Sequence, residues 1–320
     1  MKKPRSIVFA GAVFTVGLFA LSGCAGAAST ADAPSESADA KGEIAFFSPS
    51  AQIDVVSALA AGVTEEMEAQ GYTVVVHDAN FDPVKQAQQI QQALDTRSIV
   101  GAWVFPVAPE AAAQSVEALQ SAGIPAVIEG PPMSLGFEGP QPGIAFDTPS
   151  FVKYGTAIGE AAASCAVQDG HEALFLSPPD SAGGSAAVNE AIYASFAAGA
   201  PDVEIVGTAE GADLASAQTA VSQLLIAHPD ADVIIAASDE TALGAVGAFK
   251  AANKTPACIV AGGGGEGGMA AYEAGDITAI ISWDYTSAIA EAAEDLIRLM
   301  SDPTSVGGII ETPVKASGGN

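Results

Sequence analysis

The chain has 320 residues, 49% of them hydrophobic and 15% charged, with 11 Lys and Arg against 38 Asp and Glu for a formal charge of −27. An acidic excess of this size excludes nucleic acid and acidic macromolecules as partners. It speaks for a solvated surface and says nothing about fold.

The first residues, Met-Lys-Lys-Pro-Arg, form a short basic patch followed by an uncharged apolar run over 7–21. This is the layout of a signal peptide, and the run is shorter than the roughly 20 apolar residues of a membrane span. It ends in Leu21-Ser22-Gly23-Cys24, which resembles the bacterial lipobox. That resemblance implies cleavage of a lipoprotein signal over 1–23 and a lipidated Cys24 holding the protein on the outer face of the cell membrane. Loss of Lys2, Lys3 and Arg5 with the signal makes the mature protein more acidic still. The small and polar residues of 24–42 have nothing to bury and are expected to form a disordered tether.

From Glu43 the chain is rich in Val, Ile, Leu and Ala and long for one core, so two lobes are expected. A short apolar strand at 43–48 precedes Ile53, Val56, Ala60, Val63 and Met67 at helical spacing, with Gly71 as the stop. The strand at 72–77 runs apolar more than it alternates, which predicts a parallel sheet covered on both faces. A helix at 83–94, a strand at 99–105, a helix at 110–122 and a strand at 125–128 continue the rhythm. The Pro- and Gly-rich stretch 129–143 interrupts it before one more short strand at 144–147. A helix at 151–167 opens a second series, with strands at 173–177, 203–208, 233–237 and 258–261. The helix carrying Leu214, Ala217, Val221 and Leu224 ends near His228-Pro229, because proline cannot continue it. A strand at 278–282 precedes a last helix with Ile289, Ala293, Leu296 and Met300 on one face. Strands alternating with helices in two similar halves predict an α/β fold of two doubly wound parallel-sheet lobes. Cys165 and Cys258, in a chain that matures outside the reducing cytoplasm, either pair as a disulfide or are buried separately as thiols.

Open α/β sheets bind ligands beyond the carboxyl ends of their strands. That rule selects 49–54, Phe105-Pro106, Glu129, Phe146-Asp147, 177–190, Ser238-Asp239, 262–266 and Trp283-Asp284. Among these, Asp54, Glu129, Asp147, Asn189, Ser238, Asp239 and Asp284 could accept hydrogen bonds from a polar solute, and Phe105, Phe146 and Trp283 could supply apolar faces. An acid-rich, aromatic cleft of this kind also suits a cation.

Ala227-His228-Pro229-Asp230-Ala231-Asp232 leading into a strand, Ala237-Ser238-Asp239-Glu240-Thr241-Ala242-Leu243-Gly244-Ala245 at a strand-to-helix turn, and Ile124-Pro125-Ala126-Val127 carry a family resemblance. Over 41–312 the sequence resembles the type I periplasmic binding proteins, in the ribose-binding-protein-like group of ABC importer receptors. The resemblance implies a three-strand hinge joining a first lobe of 43–147 plus 284–307 to a second of 148–283 plus 308–320. It implies a monomeric receptor that takes a sugar or sugar-like solute to an ABC permease, without cofactor or catalysis. A ligand-sensing lipoprotein, or a receptor for a non-sugar, cationic solute, is the alternative. The family's ligand pattern is altered. The aromatic pair that follows the first strand in pentose binders falls on Val55 and Val56, and the Asp-Arg pair after the fourth strand on Glu129-Gly130. An arginine of the second lobe falls on Asn189 or Glu190, and a Phe-Asp on Gly263-Gly264.

Enzyme signatures find no support. The glycine run 262–267, with Asp284 beyond it, satisfies a dinucleotide fingerprint only because glycine runs satisfy most glycine patterns. There is no G-x-S-x-G elbow and no phosphate-binding P-loop. His77, His171 and His228 lack metal-ligand spacing, and acid pairs such as Glu65-Glu66 follow from composition. A repressor built on related lobes is excluded because an export signal stands where its DNA-binding domain would be.

Overall fold

The computed structural model describes residues 40–109, 112–178, 184–211 and 213–318, so Cys24, the signal and most of the tether lie outside it. The first series comprises β1 (Glu43–Ser48), α1 (Asp54–Ala69), β2 (Thr73–Asp78), α2 (Pro83–Thr96), β3 (Gly101–Val104), α3 (Ala112–Ala122), β4 (Ala126–Glu129) and β5 (Ile144–Pro149). The second comprises α4 (Phe151–Asp169), β6 (Glu172–Ser177), α5 (Ser185–Gly199), β7 (Glu204–Glu210), α6 (Leu214–Ala227), β8 (Ala231–Ala236), α7 (Asp239–Ala251), β9 (Cys258–Gly262), α8 (Glu266–Glu273) and β10 (Ala279–Trp283). The chain then returns through α9 (Tyr285–Ser301) and β11 (Ile309–Thr312) to β12 (Val314–Gly318).

The helices start where the sequence supplies caps. Asp82 accepts from the amides of Val84 and Lys85 ahead of Pro83, which tolerates the first helical position because its missing N–H would be unpaired there. Asp213 with Ser216, and Ser238 with Thr241, form reciprocal capping boxes on α6 and α7.

Two six-stranded sheets result, ordered β11-β5-β4-β3-β1-β2 and β12-β10-β9-β8-β6-β7. All pairs are parallel except the antiparallel edge pair β10–β12. Each sheet is covered on both faces. In the first lobe α1 and α9 pack on one face around Trp103, Phe46 and Leu296, and α2 and α3 on the other around Phe47, Ile128 and Phe146. In the second lobe Tyr154, Phe175 and Ile192 build one core layer, and Ile234, Phe249 and Ile280 the other. Covering both faces explains why these strands run apolar without alternation. β2 is the exception to that expectation. It is the edge strand of its sheet and leaves Val75 and Val76 substantially exposed.

Three crossovers connect the sheets: β5 to α4, β10 to α9, and β11 to β12. The expected lobe boundary after 307 needs correction, because β11 pairs in parallel with β5 and completes the first sheet. Only β12 passes to the second. Without β11 the backbone edge of β5 would lack partners. Cys165 on α4 and Cys258 on β9 are joined as a disulfide, closing a sequence separation of 93 residues. α4 and α5 approach closely because Gly155 and Gly159 carry no side chain. A Cβ at Gly159 would run into Ser195 Oγ and the carbonyl of Ile192.

Candidate functional site

All three crossovers leave from carboxyl ends of strands, so these ends of the two sheets meet at the hinge. On the first sheet Gln86 reaches across to bind the carbonyls of Phe47 and Phe105 and the amide of Val107, fixing the ends of β1 and β3 together. Phe105 lies half-buried against the α1–α9 layer. Glu129 closes β4 and stands in register with Asp147 on β5. Parallel partners in register share a face, so the two carboxyls are neighbours. The buried Trp103 donates from Nε1 to Glu129 Oε1 at 2.7 Å, and Thr312 Oγ1 donates to Asp147 Oδ1 at 3.3 Å.

Burial pushes the Glu129 carboxyl up to about 8, with the neighbouring Asp147 adding to the rise and the Trp103 indole opposing it. Asp147, only 3% exposed, is raised to about 6 by burial and by Glu291 on α9, against the hydrogen bonds from Thr312 and the Thr148 backbone. Near neutral pH the two carboxyls therefore keep a proton between them.

On the second sheet Asp239, first residue of α7, accepts at Oδ2 from the amides of Gly264 (2.9 Å) and Gly265 (2.7 Å). Gly263 and Gly264 adopt φ of 133° and 109°, which side-chain-bearing residues rarely reach. Asp239 Oδ1 is buried without a partner among the described residues. Burial raises the Asp239 carboxyl, and the two amides hold part of that rise back. Trp283 stacks on Tyr154 with ring centroids 4.5 Å apart, and Phe151 meets it edge-on at 6.2 Å. Asn189, within the first turns of α5, keeps a buried Oδ1 with no partner among the described residues.

Several expected contacts have other duties. Phe146 is fully buried in the α2–α3 core layer beside Phe137 and is not a cleft residue. Successive side chains on a strand point to opposite faces, so Phe146 and its neighbour Asp147 cannot serve the same site. Ser238 is the cap of α7. Asp284 is the cap of α9, accepting from Ser287 N and Oγ, and its carboxyl is held below its ordinary value by those bonds and by Lys315 at 3.7 Å. The side chain of Asp54 lies outside what is described.

Three site residues escaped the strand-end rule: Trp103, Tyr154 and Tyr285. Tyr285, at 41% exposure, begins α9 just past the β10 crossover; burial raises its hydroxyl, Glu129 and Asp147 add to the rise, and it in turn acts on Tyr154. It follows Trp283-Asp284 directly, so extending that stretch by one residue finds it. Trp103 and Tyr154 carry no comparable sequence signal. Among the described residues no cluster of His, Cys, Asp and Glu could hold a metal ion. A cavity of about 700 Å³ between α2 and α3, lined by Leu94, Arg97, Ala118 and Ile124, opens at the opposite end of the first sheet.

A family model described as periplasmic binding protein domain matches residues 44–303. The ribose import binding protein RbsB of Salmonella typhimurium is 26% identical over 251 residues, which span 78% of this chain and 81% of that protein. The solved structure of a periplasmic ribose ABC transporter protein from Conexibacter woesei superposes with a TM-score of 0.66 at 21% identity, covering 88% of this chain and 92% of the other. AraP, an arabinose binding protein from Geobacillus stearothermophilus, gives 0.68 at 16% identity, with 87% and 97% covered.

Proposed function

The chain belongs to the periplasmic binding protein domain family, and on that footing we propose that it is an extracytoplasmic receptor that captures a small sugar-like solute between its lobes and delivers it to an ABC permease. The names of the relatives, two of them ribose proteins and one an arabinose binding protein, support a solute of this class. The observation that carries the reading is the meeting of Glu129, Asp147, Tyr285, Tyr154 and Trp283 where the strand ends of both sheets reach the crossovers. Acceptors beside an aromatic stack suit hydroxyl-rich rings, because each buried hydroxyl needs a partner and each apolar ring face a cover.

Function then follows from an equilibrium between open and closed lobes. A solute touching both walls stabilises the closed form through contacts missing in the open one, and no bond is made or broken. The receptor acts as a monomer, tethered through a lipid on Cys24 by the 24–42 segment.

Thermal unfolding of the purified protein against ribose, arabinose and other sugars and polyols tests the reading. A solute at about 100 times its Kd adds roughly 2.7 kcal/mol, a shift of several degrees. Stabilisation by nucleotides or hydrophobic ligands, with none by any polyhydroxylated solute, would sink it. Incorporation of labelled fatty acid in the producing cell, lost in Cys24→Ser, tests the anchor separately.

A further inference from the structure

Among the described residues no basic side chain pairs with Glu129, Asp147 or Asp239. Glu129, Asp147 and Asp239 stand beside the crossovers as carboxyls, and Asp239 Oδ1, set against Gly268 of α8, and Asn189 Oδ1 have no hydrogen-bond partner among the described residues. The groups acting on these three acids are other carboxylates, hydroxyls, an indole and backbone amides. Lys153 and Lys315, the lysines nearest the crossovers, are already engaged with Glu311 and Asp284. Among the described residues Trp103 supplies the one side-chain N–H that binds Glu129, and it is spent on one carboxyl oxygen. The Tyr154 and Tyr285 hydroxyls and the proton held by the carboxyl pair can donate to a sugar, but among the described residues no cationic side chain is hydrogen-bonded to Glu129 or Asp147. An ammonium group brings three donors, no acceptor and a positive charge that can replace the proton the pair holds, and the stacked Tyr154–Trp283 pair offers it π-faces.

We propose that the solute is a polyhydroxylated molecule carrying a protonated amine, with the amine held by Glu129 and Asp147. This rests on the receptor reading above and names the class of solute for the same cleft. Glu129 is its specificity-determining residue, positioned by the Trp103 indole and by its register with β5.

The test uses matched pairs that differ only in the amine: D-glucosamine against D-glucose, D-galactosamine against D-galactose, and D-mannosamine against D-mannose, with D-glucuronate as an anionic control. Kd is measured by calorimetry and supported by thermal shift. The amine member of the best-bound pair is expected to bind about ten- to a hundredfold more tightly, as a charge-assisted hydrogen bond provides. Glu129→Gln keeps an acceptor for Trp103 but cannot give up a proton to become the partner of a bound ammonium, and should bring that preference down to a few-fold. Asp147→Asn is the second variant should the first lose its fold. A neutral member binding as tightly as its amine, or an undiminished preference in both variants, overturns the proposal and leaves the receptor reading standing. Failure of every sugar to bind or stabilise the protein overturns both.

Discussion

Replacing Glu129 by glutamine should stabilise the empty protein, and only at high pH. The isosteric amide still accepts from Trp103 Nε1 across the 2.7 Å bond, so packing and hydrogen bonding persist while the charge goes. In the folded chain the carboxyl rises from an ordinary 4.5 to about 8, chiefly through burial and then through Asp147. Between those values the native state holds a proton that the unfolded chain has released, so unfolding releases protons and stability declines as pH rises. At about 1.4 kcal/mol per unit the full rise sets a ceiling near 5 kcal/mol. Partial exposure at the strand end and sharing of one proton with Asp147 reduce the expected effect to about 2–3 kcal/mol. Urea denaturation at about pH 4, where the carboxyl is largely neutral in both the native and the unfolded chain, should give wild type and Glu129→Gln the same stability within about 0.5 kcal/mol. At about pH 9 the variant should be the more stable by the stated amount. Asp147 and Tyr285 interact with the same carboxyl and Glu291 with Asp147; all three remain in both proteins, so their titration contributes to both curves. A difference that stays constant with pH, or a variant that is less stable at high pH, would refute the reasoning.

Removing the cross-link with Cys165→Ala and Cys258→Ala together should cost about 2–4 kcal/mol in denaturant unfolding, because the bond closes a 93-residue separation; an unchanged midpoint would contradict that account. Gly159→Leu should destabilise by about 3 kcal/mol or more by forcing α4 from α5, whereas Gly139→Ala, where nothing lies within reach of a new Cβ, should cost far less; comparable melting temperatures would show that the helices do not pack as described. His171 Nδ1 lies 2.6 Å from Asp232 Oδ2, and that bond together with the aspartate charge raises the imidazole above its ordinary value. Asp232→Asn should therefore lower the His171 titration midpoint in a proton NMR pH series, and an unmoved midpoint would remove the pair.

Much of the site could be listed from sequence because its residues stand just past predicted strands. Glu129, Asp147, Asp239 and Trp283 do lie at carboxyl ends of strands beside the crossovers. The same rule admitted Phe146, since proximity to a strand end does not say which face a side chain takes. It also admitted Ser238 and Asp284, whose oxygens are consumed by capping. Trp103 was missed because a core tryptophan and one that fixes a carboxyl look alike in sequence.

By itself the sequence determined the alternation of strands and helices, the two parallel series and the helix starts. Those depend on local periodicity, caps and proline, all read within a few residues. It could not place Ile309–Thr312 in the first sheet, choose between a disulfide and two thiols for Cys165 and Cys258, or put β2 at an exposed edge. Nor could it tell that Glu129 stands level with Asp147, that Asp147 meets Thr312, 165 positions further along the chain, or that both carboxyls act on Tyr285. Only the tertiary structure decided these, because strand register and sheet order are settled by contacts between residues far apart in the chain, and the charge of a buried carboxyl is set by whichever groups those contacts bring beside it.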